Sequence, residues 1–371
     1  MIDGPEADVR WMCHALGLAA RGLGRAWPNP AVGCVIVRAG RVVGRGWTQP
    51  GGRPHAEAVA LARAGPAAAG ATAYVSLEPC AHHGRTPPCA DALATAGVVR
   101  VVTPFDDPDP RVSGRGHARL RAAGIAVTTG VEAAAAARLQ RGFLLRQTAG
   151  RPMLTLKLAT SLDGRIATAS GESRWVTGTA SRRRVHALRA CHDAVLVGAG
   201  TARADDPLLT VRGLGTMPQP VRVVAARGLD LDPGGALGRT AGASPLWLLH
   251  DPEATPAARS AAWQAAGARL LPVASGGGGL DPAAMLAVLG AEGLTRVFCE
   301  GGGTLASALL GSGLVDELWL FGAGLALGEE GRPAVGALGL ERLAEAPRFR
   351  LLGVEEVGED LLQHWERIEG R

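Results

Sequence analysis

The chain has 371 residues, enough for two domains of ordinary size, and its net charge of +5 is mild for that length. The one basic cluster, Arg182-Arg183-Arg184, has no stripe of interleaved aromatics around it, which excludes the usual nucleic-acid-binding pattern and favours a small phosphorylated substrate. No run of about 20 apolar residues predicts a membrane span, the acidic Met1-Ile2-Asp3-Gly4-Pro5-Glu6 start lacks a signal core, and six scattered cysteines fit a reducing cytoplasm better than a disulfide framework.

In chain order, Val9, Met12, Cys13, Leu16 and Ala20 recur near helical spacing and predict a helix over Ala7–Gly22, with Cys13 and His14 structural. Pro28-Asn29-Pro30 places Asn29, whose side chain offers both a donor and an acceptor, just before a strand. Val32–Val37 and Arg41–Trp47 read as a hairpin turning at Arg38-Ala39-Gly40.

Pro54-His55-Ala56-Glu57 follows, then Glu78-Pro79-Cys80 and Pro87-Pro88-Cys89. His55, Cys80 and Cys89 are three borderline-soft ligands for one zinc, leaving a fourth position for water as a catalytic site requires. Glu57 is then the proton shuttle and not a ligand. Residues i and i+2 inside a helix point about 200° apart, so His55 and Glu57 serve one site only if a helix begins there. Pro54 and the alanine-rich Ala56–Ala64 run predict that start, whose positive end favours an ionised Glu57. The usual Pro-Cys-x-x-Cys spacing is stretched here to nine positions by a polar insert, in which His82, His83 and Arg85 either touch substrate or form loop surface.

Further strands at Thr72–Leu77, Val98–Val102 and Ile125–Thr129 alternate with helices at Cys89–Ala96, 117–123 and Glu132 to about Leu145, which predicts an α/β layered domain. Asp106-Asp107-Pro108-Asp109-Pro110 and Gly114-Arg115-Gly116 form a polar loop after a strand end, where a ribose phosphate is expected.

The segment Glu78-Pro79-Cys80-Ala81-His82-His83-Gly84-Arg85-Thr86-Pro87-Pro88-Cys89, with Pro28-Asn29-Pro30-Ala31-Val32-Gly33-Cys34, resembles the deaminase half of the bifunctional riboflavin-biosynthesis deaminase/reductase family. The resemblance implies a cytidine-deaminase-like α/β/α domain over residues 1–147, with Asn29 on the substrate.

Gln147–Pro152 reads as the linker, and patterning restarts with a strand at Met153–Ala159. That strand carries Lys157, the only lysine in a chain of 39 basic residues, which suggests a task that needs a compact charge. A helix at Ala180–Ala190, strands at Ala194–Val197, Val221–Ala225, Leu246–Leu249 and Arg269–Val273, helices near 256–266 and 282–292, and a loose glycine loop at Ser275–Gly279 follow. The strand Arg296–Glu300 then runs into Gly301-Gly302-Gly303-Thr304-Leu305 and a helix, a place where backbone N–H groups can approach a pyrophosphate. Glu317–Phe321 is another strand, and Phe349–Arg367 a closing hairpin about Gly358.

This half, residues 151–371, resembles the reductase half of the same family, which implies a dihydrofolate-reductase-like α/β fold and NADPH beside the zinc. Carried over by position, Lys157, Ala159, Trp175, Thr201 and Asp205 fall on cofactor or active-centre positions, with Lys157 and Asp205 expected to steer protons. Gly302, Gly303, Thr304 and Leu305 fall on the cofactor turn, and Ser173, Arg189, Leu209, Arg212 and Glu300 around the substrate. Arg189 and Arg212 suit a phosphate as bidentate clamps. Where the family tends to carry Asp-Ser after Val223-Val224, this chain has Ala225-Ala226-Arg227, and Arg227 is expected on the cofactor's 2′-phosphate; Gly322–Gly328 replaces a proline-containing segment. A homo-oligomer is implied by resemblance alone. The rival readings are a nucleoside or nucleic-acid deaminase with a non-catalytic second domain, and a zinc-stabilised binding module.

Overall fold

The computed structural model describes residues 4–82, 87–109 and 112–368. His83, Arg85 and Pro110, all singled out above, lie outside the described residues. The chain divides into two compact units, Met1–Gly150 and Arg151–Arg371.

The first unit has strands β1 (Gly33–Arg38), β2 (Arg41–Trp47), β3 (Thr72–Val75), β4 (Arg100–Val102) and β5 (Ala126–Thr128). Its helices are α1 (Pro5–Ala19), α2 (Ala56–Ala64), α3 (Cys89–Thr95), α4 (Arg115–Ala122) and α5 (Ala133–Ala149). The sheet order is β2-β1-β3-β4-β5, with β1 antiparallel to both its neighbours and β3, β4 and β5 parallel. Ala39 and Gly40 turn the first hairpin with φ of 49° and 73°, the left-handed pair that matches strand twist.

Strand β1 is apolar from Gly33 to Val37 because both its faces are covered there. Cys34 and Ile36 join Ala56, Ala60 and Leu93 on one side, while Val35 and Val37 join Met12, Ala15 and Leu16 on the other. The result is the expected α/β/α sandwich. Gly33 and Gly46 bring the helices close: a Cβ at either would stand 1.9 Å from the Ala15 carbonyl oxygen or 2.3 Å from that of Ala56.

One boundary differs from the sequence reading. Gln147–Ala149 is the last turn of α5, not linker, and Gly150 ends the helix at φ 67°. No breaker precedes that glycine, and the Thr148 hydroxyl bonds back to the Leu144 carbonyl at 2.9 Å, which helical backbone allows.

The second unit contains β6 (Met153–Thr160), β7 (Arg165–Ala167), α6 (Thr179–Ala190), β8 (Ala194–Gly198), α7 (Ala199–Asp205), β9 (Val221–Ala225), α8 (Ala236–Arg239), β10 (Leu246–His250), α9 (Ala257–Ala265) and β11 (Arg269–Pro272). It continues through β12 (Ser275–Gly276), β13 (Gly279–Leu280), α10 (Pro282–Ala291), β14 (Arg296–Cys299), α11 (Gly303–Gly311), β15 (Glu317–Gly322), β16 (Arg332–Pro333), β17 (Phe349–Val357) and β18 (Asp360–Arg367). Nine strands form one sheet, β11-β10-β9-β8-β14-β6-β15-β18-β17. The first seven run parallel and the closing hairpin runs antiparallel.

The chain travels outward from β6 through β8 to β11, returns to insert β14 beside β6, and then adds β15 on the far side. Such a reversal leaves a crevice at the C-terminal ends of the central strands. One local feature departs from the sequence reading: Ser275–Gly279 is an ordered hairpin, with Gly277 and Gly278 turning at φ 59° and 88°. The stretch after β8, on which the sequence reading was silent, forms α7. No helix among the described residues is long and apolar enough to cross a membrane.

Candidate active sites

His55 is the N-cap of α2, so Glu57 stands in the first turn, the only place where the two can converge. Cys89 opens α3, and its N–H donates to Cys80 Sγ at 3.3 Å. Both helix starts therefore present their positive ends to one point. His55 Nδ1 lies 3.7 Å from Cys80 Sγ and 3.4 Å from Cys89 Sγ. Nitrogen and sulfur on neighbouring corners of a zinc tetrahedron stand about 3.5 Å apart, from bond lengths near 2.0 and 2.3 Å, so the donor set is already at coordinating distance. The protonation chemistry agrees. A hydrogen bond from the Cys89 thiol, with His55, brings Cys80 down to about 4, while the Cys80 sulfur and burial push Cys89 up. Metal binding requires both thiols as thiolates, so zinc binding releases protons.

Glu57 is buried, 3% exposed, and burial followed by the Cys80 charge raises its carboxyl above the usual range. Asn29 donates from Nδ2 to the Gly52 carbonyl at 2.9 Å. Gly52 sits at φ 83°, and a Cβ there would meet that side chain at 2.5 Å, so the glycine makes room for Asn29.

Glu78 was part of the cysteine motif without a role, and the structure supplies one. Its buried carboxylate accepts four backbone N–H groups, from Asp107 (2.8 Å), Gly114 (2.9 Å), Gly116 (2.8 Å) and His117 (3.1 Å). This corrects the expected ribose-phosphate role of the loop: the N–H groups at the start of α4 are already taken by a carboxylate of the chain itself. A glutamate two residues before an expected metal ligand is the signal that the sequence held. Asp106, His117 and Glu78 also fall close enough to suggest a second metal cluster, but the four N–H groups satisfy Glu78, and His117 bridges Asp106 (2.8 Å) and Thr103 (2.9 Å).

In the second unit, Lys157 on β6 has Glu300, Arg189 and Asp205 as its electrostatic neighbours. Burial pushes the Lys157 ammonium below its ordinary pKa, while Glu300 and Asp205 oppose the fall. Burial alone would raise Glu300, yet the Arg189 charge and hydrogen bonds, with Lys157, win and hold it low. Arg189 grips both Glu300 oxygens, through Nε and through Nη2 at 3.0 Å, and gives Nη1 to the Thr210 carbonyl at 2.8 Å. The arginine expected around the substrate as a bidentate clamp thus has Glu300, another expected substrate residue, as its partner. Arg212 is exposed, and its N–H reaches His186 Nδ1 at 3.3 Å. Burial, Arg189 and Arg212 lower the His186 pKa, so this histidine, unremarked in the sequence, belongs to the same basic corner.

The glycine turn opens α11, with Gly302 at φ 65° as its N-cap. A Cβ on Gly302 would stand 2.9 Å from Thr201 Oγ1, and one on Gly301 would stand 2.7 Å from Leu305 Cδ2, so the starts of α7 and α11 are adjacent. Gly303 lies against the Pro333 carbonyl, while the Thr304 carbonyl accepts the Ser307 hydroxyl at 3.0 Å. Arg227 follows the end of β9, half exposed, 3.7 Å from Asp251. Ala159 pairs with Phe321 across the sheet. Ser173 gives its carbonyl to Val176 at 3.2 Å. Two residues stand apart. Trp175 is 68% exposed under the Arg182 guanidinium at 4.7 Å. Leu209 has its side chain in the core beside Val195 and Val224 at φ 54°, leaving only its backbone for a substrate.

A deaminase-type metal cluster in one unit, and in the other a largely parallel sheet with a glycine turn after β14 and a half-buried lysine on the neighbouring β6, define a zinc deaminase joined to a nicotinamide-dependent reductase. The cytidine and deoxycytidylate deaminase zinc-binding region matches residues 5–104, and the RibD C-terminal domain matches residues 152–363. The chain is 44% identical to the riboflavin biosynthesis protein RibD of Escherichia coli over 96% of its length and 98% of the relative's. A solved structure of Acinetobacter baumannii RibD superposes with a TM-score of 0.88 at 39% identity, covering 99% of this chain and all of that one. A Thermotoga maritima structure, described as a diaminohydroxyphosphoribosylaminopyrimidine deaminase/5-amino-6-(5-phosphoribosylamino)uracil reductase, superposes at 0.86 with 32% identity, covering 98% of this chain and 99% of that one.

The chain belongs to the RibD family. It is a bifunctional riboflavin-biosynthesis enzyme, both hydrolase and oxidoreductase, that uses zinc and NADPH. The match over residues 152–363 sets aside the reading of the second half as a non-catalytic appendage.

Proposed function

We propose that the first unit deaminates the diaminopyrimidine ribosylamino-phosphate, and that the second reduces the ribosyl side chain of the resulting uracil. The observation that carries the reading is the convergence of His55, Cys80, Cys89 and buried Glu57 at two helix starts. When bound through those three ligands, zinc lowers the pKa of a water to about 7. Glu57 takes the proton that this water loses and delivers it to the departing nitrogen, which leaves as ammonia. Asn29, already oriented by Gly52, keeps its carbonyl oxygen for the pyrimidine edge.

NADPH supplies a hydride for the ribose C1′ in the second site. The glycine turn Gly302–Leu305 and Thr201 hold its pyrophosphate, Arg227 its 2′-phosphate, and Ala159 and Trp175 its nicotinamide end. Lys157, paired with Glu300 and Asp205, holds the proton that the opening ring oxygen needs. Exposed Arg212 binds the substrate phosphate, and Ser173 and the Leu209 backbone line the same substrate. The partner is a small phosphorylated pyrimidine and not a nucleic acid; free cysteines support a cytoplasmic home, and outer strand β17 with half-exposed Leu351 and Val354 supports a homo-oligomer.

The testing experiment follows ammonia release and NADPH oxidation on zinc-loaded protein with the diaminopyrimidine substrate alone. Both signals are expected. Ammonia without NADPH oxidation overturns the second half of the reading, and release from cytidine or RNA instead overturns the first. Arg227→Ala is expected to lower the NADPH-over-NADH preference about tenfold or more, because a hydrogen bond between charged groups is worth about 1.5–3 kcal/mol. An unchanged ratio removes Arg227 from the cofactor.

A further inference from the structure

The turn after β6, Ser161-Leu162-Asp163-Gly164, and the long segment after β15, residues 323–336, are stitched together along their length. Ala323 N–H reaches the Thr160 carbonyl at 2.8 Å, Leu162 N–H the Leu325 carbonyl at 2.8 Å, and Ala334 N–H the Gly164 carbonyl at 3.0 Å. Strands β7 and β16 add a short antiparallel ladder between the two. The far end of the segment rests on the glycine turn: Gly336 N–H donates to the Gly303 carbonyl at 3.1 Å, and a Cβ on Gly303 would meet the Pro333 carbonyl oxygen at 2.8 Å. Residues 323–336 therefore form one wall of the cradle at the start of α11.

A single side chain holds the middle of that wall. The Asp163 carboxylate accepts the N–H of Leu327 at 3.1 Å and of Gly328 at 2.7 Å, and also the Ser161 hydroxyl, whose oxygen accepts the Arg165 N–H at 2.9 Å. These bonds, the Ser161 hydroxyl first, keep the carboxyl down at about 2, so it is ionised throughout the neutral range. Segment 324–330 has neither helix nor strand, and in it only Leu325 and Leu327 are partly covered. Few other groups can fix it, and hydrogen bonds to a charged acceptor are the strong kind.

We propose that Asp163 is a positioning residue of the reductase site: by clamping Leu327 and Gly328 it holds segment 323–336 against the glycine turn and so sets the affinity for the nicotinamide dinucleotide. The inference rests on the reductase reading above. The Asp163 carboxylate is spent on Ser161, Leu327 and Gly328, so it acts through the wall.

The test is Asp163→Asn in the full-length zinc-loaded chain, read as NADPH Kd by calorimetry, KM for NADPH, kcat of reduction, and deamination as an internal control. The amide keeps one acceptor oxygen but turns an N–H₂ toward a backbone donor, so one clamp is lost. NADPH Kd and KM are expected to rise about tenfold, with kcat within twofold of wild type and deamination unchanged. Gly328→Ala attacks the same clamp from the other side, since Gly328 sits at φ 81° and a Cβ would meet Glu330 at 2.9 Å; it is expected to move the same constants in the same direction, and it decides the matter if the first variant fails to fold. Unchanged Kd and KM in a variant that still deaminates overturn the proposal, as does a fall in kcat with KM unmoved. A wild-type chain that neither binds nor oxidises NADPH overturns the reductase reading instead, which separates the two failures.

Discussion

Glu57→Gln is expected to lower deamination about 10³-fold while one zinc per chain is retained, a loss within the range set by removing a positioned proton carrier. The substitution keeps the shape of a side chain buried in the first turn of α2 and leaves His55, Cys80 and Cys89 untouched. What it removes is the ability to take a proton from water and return it to the leaving nitrogen. NADPH oxidation with the diaminopyrimidine as sole substrate should fall by the same factor, because its substrate is never made. Oxidation with the supplied uracil product should not change. Zinc analysis and the two rates together decide the role: lost zinc would make Glu57 a ligand, and a surviving rate would give the shuttle to another group.

Glu300→Ala is expected to destabilise the second unit by about 3–5 kcal/mol, the cost of leaving one partner of a buried ion pair alone, and to lower its melting transition by roughly 10 °C. Arg189 and Glu300 are each only 11% exposed, and the substitution strands the guanidinium while also stripping Lys157 of its main acidic neighbour. Removing both charges, as in Arg189→Leu with Glu300→Leu, should cost much less, since the uncompensated charge is gone. Calorimetry of the two variants checks the argument; a single substitution as mild as the double one would show the pair to be solvated. Reduction should be lost in both.

The clustering of His55, Cys80 and Cys89 was legible because metal chemistry restricts residue type so severely. One histidine and two cysteines near prolines, with a glutamate two residues after the histidine, leave few other uses for that set, and the start of α2 followed from the need for His55 and Glu57 to converge. The alternation of strands and helices was legible too, since buried parallel strands such as β8 and β10 read as short apolar runs bounded by breakers. The end of α5 was missed because Gln147 and Thr148 tolerate either helix or loop. The pairing of Arg189 with Glu300 was not legible for a different reason: arginine suits a phosphate and a carboxylate equally well, and Glu300 is 111 positions away in the chain.

By itself, the amino-acid order determined the two-part α/β architecture, the His-Cys-Cys cluster, the glycine turn and the family, all of which depend on residue type and local spacing. Only the tertiary structure decided which donors and acceptors spend their capacity on each other. The N–H groups at the start of α4 are filled by Glu78, 36 positions away from Gly114, and the Asp163 carboxylate, which the sequence did not single out, meets Leu327 and Gly328, 164 and 165 positions on. Such pairings join groups far apart in the chain, and periodicity carries no record of them. They are fixed when the sheet brings strand ends together and each buried polar group must find a partner.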